Sequence, residues 1–260
     1  MPPLEALPDM DDRSLLAFAA EHRFVLAAHA AALLGVTESA ARERLLEHCA
    51  AGLLVAKRVF DGHPSMYRIT RDGLRTVGSS LRAPNIDLSR YDHEVGVAWL
   101  WLAARNGAFG PMRSVLGERR LRSRDGTAAA AGEPLAVRLG ATGWAGKERL
   151  HYPDVLLVDA RGRRIAVELE LSSKGRGRRE KILGGYAADA RFAAVLYVVE
   201  SPQLARSIEA SAARLAIPWL VRLQRVRWST ATPRACEGGA RLRAAAVAPR
   251  AARTVVGAEL

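Results

Sequence analysis

The chain has 260 residues, of which 49% are hydrophobic and 25% charged, and 39 Lys+Arg against 27 Asp+Glu give a net charge of +12. This composition excludes wholesale disorder, and no apolar run approaches the ~18 residues of a membrane span. Cys49 and Cys236 lack a Cys or His at metal-ligand spacing, which excludes a zinc knuckle or a disulfide scaffold. We therefore expect a soluble cytoplasmic protein, without a signal peptide, whose first candidate partner is nucleic acid.

The charge is unevenly distributed along the chain. Residues 1–80 carry 9 basic and 10 acidic side chains, a balance of −1, whereas residues 81–260 carry 30 and 17, a balance of +13. Three arginine-rich clusters account for most of this excess, and they cover residues 113–124, 174–181 and 225–253. A surface that binds phosphates is therefore expected in the second part of the chain.

Residues 1–80 are predicted to form a compact helical unit with a hairpin. Gly35 ends the second helix, Thr37 caps the third and Gly52 stops it, and a turn at Asp61-Gly62 joins two short strands. The predicted helices cover residues 14–22, 26–34, 38–51 and 71–77, and the strands cover 53–60 and 66–70. This order of elements resembles a winged helix-turn-helix domain.

Such a domain implies two kinds of contact with DNA. The third helix would enter the major groove with Ser39 and Arg42, and the hairpin would present Lys57, Arg58 and Arg68 to phosphates. A second interpretation stays open, because a net charge of −1 is poor for neutralising DNA. In that interpretation the unit is a dimerisation or protein-docking module.

After a linker at residues 81–88, strands and helices alternate, which predicts an α/β domain with a mixed, covered sheet over residues 89–228. A buried helix is expected first, then a strand at 112–121 and an irregular connection or hairpin at 128–147. The later strands are expected at 155–158, 164–171, 193–199 and 217–223, and the helices at 172–186 and 202–215. The tail, residues 229–260, is predicted to be disordered.

One cluster of carboxylates carries the most chemical information. Asp154 precedes one strand and Glu168 lies in the next, so a hairpin would bring them together, and Glu170 shares a strand face with Glu168. Lys174 follows at the start of a helix. Hard oxygen ligands in this arrangement suit Mg²⁺ or Mn²⁺. The predicted site is therefore a metal centre for phosphodiester hydrolysis, with Asp154, Glu168 and Glu170 as ligands and Lys174 assisting.

The basic side chains around this cluster are candidates for holding the DNA backbone. They are Arg119, Arg122, Arg176, Arg178 and Arg179. An alternative without function is also open: the two glutamates would lie at an exposed edge and pair with neighbouring arginines, as surface ion pairs commonly do.

The run Pro153-Asp154, then Glu168-Leu169-Glu170, then a basic helix resembles the PD-(D/E)XK, restriction-endonuclease-like superfamily. More narrowly, residues 12–223 are similar to the replication-relaxation family of actinobacterial plasmids and mobile elements. The most specific part is Glu168-Leu169-Glu170-Leu171-Ser172-Ser173-Lys174. The resemblance departs from the nuclease pattern at Glu170, which stands where the lysine should be. Lys174 would then supply the amine, or the site has lost catalysis; Glu94 is a further candidate ligand.

The resemblance implies a DNA-binding protein that acts in replication or mobilisation of a plasmid or mobile element. We expect such a protein to be associated with the nucleoid or plasmid. It would act as a homodimer or together with other replication or mobilisation proteins. Two functions stay open at this point: a Mg²⁺- or Mn²⁺-dependent DNA nuclease or nickase, and a non-catalytic transcription or replication regulator with a degenerate nuclease fold. A protein-docking scaffold is a third.

Overall fold

A computed structural model of the protein describes residues 10–128, 134–142 and 148–226. The first unit has three helices, a two-stranded antiparallel sheet and a short helix. They are α1 (Met10–Glu21), α2 (Ala27–Leu34), α3 (Glu38–Ala50), β1 (Leu54–Lys57), β2 (Met66–Ile69) and α4 (Arg71–Thr76). The predicted ends of these elements follow their local chemistry: the hydroxyl of Thr37 accepts from the Ala40 N–H at 3.3 Å, and Gly35 ends α2 with a φ of 68°.

The second unit begins with a turn of 3₁₀ helix (Leu88–Arg90) and contains a five-stranded mixed sheet. Its elements are α5 (Tyr91–Arg105), β3 (Met112–Gly117), α6 (Glu118–Ala128), β4 (Val137–Thr142), β5 (Glu148–His151), β6 (Val155–Asp159), β7 (Arg164–Glu170), α7 (Arg176–Ala188), β8 (Phe192–Val199), α8 (Pro202–Arg214) and β9 (Val221–Arg225). The sheet order is β3-β6-β7-β8-β9. Strands β3, β6 and β7 are antiparallel, whereas β7, β8 and β9 are parallel. The predicted mixed α/β class is confirmed at this level.

Three predicted boundaries differ from the structure. The strand expected over 112–121 ends at Gly117 and α6 follows, because a helix buries Leu121 while Arg120 and Arg122 stay exposed. Helix α7 starts at Arg176 instead of residue 172, and β9 starts at Val221 after a turn that contains Pro218. Between α6 and β6, β4 and β5 pair antiparallel; the connection or hairpin predicted at 128–147 contains β4, whereas β5 lies beyond it at Glu148–His151. The tail at 229–260 lies outside the described residues.

The apolar side chains of the sheet separate onto its two faces. Val155, Val167 and Leu169 pack into a core shared with α5 and with helices α1 and α2 of the first unit. Leu156 and Ala166 point to the opposite face, which α7 and α8 cover. One continuous core therefore joins the N-terminal helices to the sheet. Within the described ranges, no helix is both long and apolar enough to cross a membrane.

Helix α7 approaches β4 closely at one of two adjacent glycines. A Cβ on Gly185 would lie 2.8 Å from the backbone oxygen of Arg138, whereas a Cβ on Gly184 would meet nothing within 4 Å. We expect Gly185→Ala to lower the free energy of unfolding by about 1–3 kcal/mol, because backbone must move apart. Gly184→Ala should raise it by about 0.5–1 kcal/mol through helix propensity. Urea unfolding of both variants checks this, and equal effects would contradict the close approach.

Two histidines are enclosed, uncharged, in the core between the units. His22 contacts the rings of Phe18 and Trp101, with centroids 4.5 and 5.8 Å away. The Nδ1 atom of His29 accepts a hydrogen bond from the Leu26 N–H at 3.2 Å. Burial lowers the pKa of each imidazole to about 3. In the unfolded chain the two imidazoles become protonated near pH 6.5. In the folded chain both rings stay neutral until the pH is much lower.

Acid should consequently destabilise the fold through these side chains. Because the pKa is depressed in the folded state, the unfolded chain binds the extra proton, and stability present above about pH 6.5 is lost as the pH falls toward 3. Each histidine should cost about 2 kcal/mol between pH 6.5 and pH 5. His22→Phe fills the same space and should reduce the loss over this interval by about 2 kcal/mol. Urea unfolding at both pH values tests this; an unchanged loss in the variant would refute it.

Candidate active site

The predicted carboxylates lie on the β6–β7 hairpin, and Glu168 and Glu170 belong to β7, the middle strand of the sheet. Asp154 immediately precedes β6, and Val155 pairs with Val167, so the register sets Asp154 next to Glu168. The Oδ2 atom of Asp154 accepts the Leu169 N–H at 2.9 Å. Glu168 and Glu170 are each only 1% exposed. This burial rules out the alternative in which they form solvated pairs at an exposed edge.

The carboxylate of Glu168 is held by three side chains. His151 Nε2 lies 2.7 Å from Oε1, and the Tyr186 hydroxyl donates to the same oxygen at 2.6 Å. The other oxygen faces Lys174 Nζ at 3.8 Å. Burial opposes protonation of His151, but the charge and hydrogen bond of Glu168 outweigh it and raise the pKa of the imidazole. Glu168 is therefore fixed in orientation with one oxygen turned toward the lysine.

Glu170 has a different set of partners. Lys174 Nζ lies 3.4 Å from Oε2, the Lys174 N–H donates to Oε1 at 3.3 Å, and Arg179 Nε lies 3.7 Å from Oε1. The Oε2 atom has no hydrogen-bond partner within the described part of the chain, since the contact with Lys174 is an ion pair only. One oxygen of Glu170 and one oxygen of Glu168 thus face the same Lys174 ammonium group.

Asp154 is ionised although it is buried. Burial disfavours its charge, but His93 and Lys174 and the Leu169 N–H outweigh this and lower the pKa of the carboxyl group. His93 Nε2 lies 3.2 Å from Oδ2, and Arg90 lies 3.2 Å from the other ring nitrogen. Because arginine only donates, we infer that Nδ1 accepts from Arg90 and Nε2 donates to Asp154.

Lys174 contacts two of the three carboxylates and is influenced by the charge of the third. Its burial opposes the charge, but Glu168, Glu170 and Asp154, in decreasing order, raise the pKa of the ammonium group. Lys174 therefore remains protonated, and its side chain is 26% exposed, so the ammonium can be reached from solvent. The loop before α7, and not the helix itself, carries it.

The carboxylate oxygens of this cluster are the type of ligand that a hard divalent cation binds. Mg²⁺ and Mn²⁺ take carboxylate oxygens, and Mg²⁺ is usually held by one or two carboxylates together with substrate phosphates. Across the described residues, no group of three or more His, Cys, Asp or Glu side chains is placed to hold a metal ion. The predicted ligand set of Asp154, Glu168 and Glu170 is therefore not placed as a three-carboxylate metal site. Asp154 and Glu168, which are neighbours in the β6–β7 register, would be the two carboxylates to hold an ion.

Glu94, the further candidate ligand, is occupied by arginines. Its Oε1 lies 3.1 Å from Arg23 and 3.6 Å from Arg90. It shares a small cleft of about 20 Å³ with His93 and Asp154. The cleft can therefore hold about one water molecule between Glu94 and Asp154. The ion pair with Arg23 also connects the first unit to the second.

The predicted DNA contacts fall into two groups. Ser39 and Arg42 on α3 and Lys57 and Arg58 in the hairpin are exposed, whereas Arg68 is half-buried and donates to the Pro84 carbonyl at 3.5 Å. On the second unit, the two residues at the start of α7 are exposed next to the carboxylate cluster. These are Arg176 and Arg178.

The remaining three predicted contacts have structural partners. Arg119 donates to the Ala20 and Arg82 carbonyls at 3.3 and 2.7 Å, which ties α6 to the first unit. Arg122 pairs with Glu118 at 2.7 Å and covers the Tyr152 ring. Arg179 is 2% exposed, so its guanidinium is not available to a DNA phosphate.

The roles of Tyr186, Arg179 and His151 in orienting the carboxylates were not predicted. They lie on α7 and on the β4–β5 hairpin, and only the folded sheet brings them to β7. The placement of His151 three residues before Asp154 was the one available signal.

Comparison with known proteins gives no family assignment. No family model matches the chain, and no curated protein matches it. A solved structure described as "PigF with SAH" has 16% sequence identity and a TM-score of 0.20. It covers 83% of this chain, and the chain spans 56% of that structure's length. A similarity this low carries no argument about fold or function.

Proposed function

We propose that this chain is a DNA-binding protein of a plasmid or mobile element, acting in its replication or mobilisation, and that its second unit is a PD-(D/E)XK-type, metal-dependent DNA endonuclease or nickase. The observation that carries the proposal is the Lys174 ammonium, 3.8 Å from Glu168 and 3.4 Å from Glu170. Two buried glutamates and a neighbouring aspartate on one hairpin, with a partly exposed lysine in the loop that follows, are costly to maintain without a function.

The fold supports this proposal. The mixed sheet is the type that the resemblance implies, with Asp154 before one strand and Glu168 in the next. The first unit has three helices followed by an antiparallel hairpin, the order of elements on which the winged-helix proposal rests, and α3 and the hairpin both expose basic side chains. We infer that this unit reads the DNA and that Arg176 and Arg178 hold phosphates beside the carboxylates.

In this mechanism the side chains of the protein have separate tasks. Asp154 and Glu168 would hold a Mg²⁺ or Mn²⁺ ion, which would supply Lewis-acid stabilisation and an activated water. His151 and Tyr186 fix one oxygen of Glu168, and His93 fixes Asp154. Lys174 places its charge where negative charge develops on the attacked phosphate, a contribution that is larger in a water-poor site. Glu170 and its partners hold Lys174 in place.

Incubation with supercoiled, linear and single-stranded DNA tests the hydrolytic function. The native protein should nick or cut at least one of them in Mg²⁺ or Mn²⁺, and EDTA should stop the reaction. Absence of cleavage of all three, at protein concentrations that saturate the DNA, would refute the nuclease.

A second function is favoured by one observation: each carboxylate already faces a cation or a donor from the protein. His93 faces Asp154, His151 faces Glu168, and Arg179 faces Glu170. A site neutralised in this way is consistent with a non-catalytic DNA-binding regulator. In that case the native protein would bind DNA with an affinity that falls steeply with salt, yet would cut none of the substrates.

A further inference from the structure

A groove on the first unit lies apart from both the α3 face and the carboxylate cluster. It has a volume of about 540 Å³ and lies between α4 and the segment that leads to the second unit. Its lining residues are Arg71, Leu74, Arg75, Ser79, Leu81, Arg82 and Ala83. None of them belongs to the sites described above.

The charge of the groove is unbalanced. Three arginines line it, and no acidic side chain does. Arg75 forms an ion pair with Asp72 on the same helix. Within the described residues, neither the Arg71 nor the Arg82 guanidinium has a hydrogen bond or an ion pair. Two unpaired guanidinium groups at one concave surface repel each other, and an anion bound between them would relieve that repulsion.

The remainder of the lining limits the kind of anion. The half-buried Leu81 and the exposed Ala83 provide apolar surface beside the arginines. The Ser79 hydroxyl accepts the Leu81 N–H at 3.3 Å and still has its proton to donate. Guanidinium groups match phosphate oxygens in geometry and charge. A ligand with a phosphate and a less polar body of moderate size therefore fits both parts of the groove.

We propose that this groove binds a nucleotide unit, with Arg71 and Arg82 on the phosphate and Leu81 and Ala83 against the sugar or base. The unit is either a free nucleotide or part of a DNA strand. The Arg82 carbonyl also receives the hydrogen bond from Arg119. An occupied groove would thus order the segment that joins the two units.

Titration calorimetry with inorganic phosphate and with dAMP, and anisotropy with a 20-base-pair duplex, test this proposal on the full chain. The variant is Arg71→Ala/Arg82→Ala. The control is Arg161→Ala/Arg206→Ala, two exposed arginines outside the groove. The variant should keep the native thermal midpoint, because neither guanidinium is engaged in the fold.

The two sources of the phosphate give different results. A free-nucleotide groove predicts that dAMP binds the native protein and binds the variant at least about tenfold more weakly. If the groove binds a DNA strand, dAMP should not bind the native protein, and the variant should bind the duplex more weakly by a similar factor. The slope of log affinity against log salt concentration should then be smaller in the variant by about two. If the variant and the control bind dAMP and duplex equally well, the proposal is overturned. None of these outcomes depends on DNA cleavage.

Discussion

Arg179→Met is expected to lower the free energy of unfolding by about 3–5 kcal/mol. The guanidinium is 2% exposed, and its Nε lies 3.7 Å from the equally buried Glu170. It also donates to the Ser207 hydroxyl at 2.7 Å and to the Lys174 carbonyl at 2.8 Å, so one side chain fastens α7 to α8 and to the loop that carries Lys174. Removing it leaves a buried carboxylate with less compensating charge, and several polar groups lose their partner.

Urea unfolding of matched variants measures this effect. Arg178→Met removes an exposed arginine from the same helix and should change stability by less than about 0.5 kcal/mol. Adding Glu170→Leu to Arg179→Met should recover much of the loss, because the unpaired buried charge is gone. A loss no larger than that of Arg178→Met, or one that Glu170→Leu deepens, would show that the pair does not stabilise the fold.

Lys174→Met is expected to slow DNA cleavage by about 100- to 1000-fold, the cost of losing one preorganised charge at an active site. The ammonium faces Glu168 and Glu170 and is reachable from solvent. Methionine keeps the length and loses the charge. The rate should fall under single-turnover conditions, while DNA affinity changes little because the basic side chains around the site remain.

Two further variants separate charge from packing. Lys174→Arg keeps a cation at the site and should retain more of the rate than Lys174→Met. Lys181→Met removes an exposed lysine from α7 and should leave the rate near the native value. Native-like cleavage by Lys174→Met would remove Lys174 from the mechanism, and an equal loss in Lys181→Met would indicate a general effect of charge.

The sequence predicts local structure well where one rule acts alone. The cap at Thr37, the stop at Gly35 and the alternation of strands with helices after Val155 all match the structure. Register places Asp154 beside Glu168 without any knowledge of distant contacts. These features depend on neighbours within a few residues or on a single hairpin.

Prediction fails where tertiary contacts decide. A basic run predicts phosphate contacts, yet Arg179 is buried against Glu170 because α7 turns that face toward the sheet. Arg119 is likewise used to join the units. The partnership of Tyr186 with Glu168 spans 18 residues and depends on how α7 crosses β7. Periodicity alone does not determine which arginine of a charged helix faces inward.

In the proposed nuclease, the charge of Glu168 is required for hydrolysis of the phosphodiester. The rate of nicking of supercoiled plasmid in Mn²⁺ tests this most directly, measured for the native protein, for Glu168→Gln and for the control Glu180→Gln; Glu180 pairs with Arg214 away from the carboxylate cluster. Glutamine keeps the shape and loses the charge. We predict that Glu168→Gln nicks at least about 1000-fold more slowly, a loss of about 4 kcal/mol in transition-state stabilisation, with native DNA affinity and with Glu180→Gln unaffected. Equal rates for all three proteins, or no nicking by any of them, would contradict the claim.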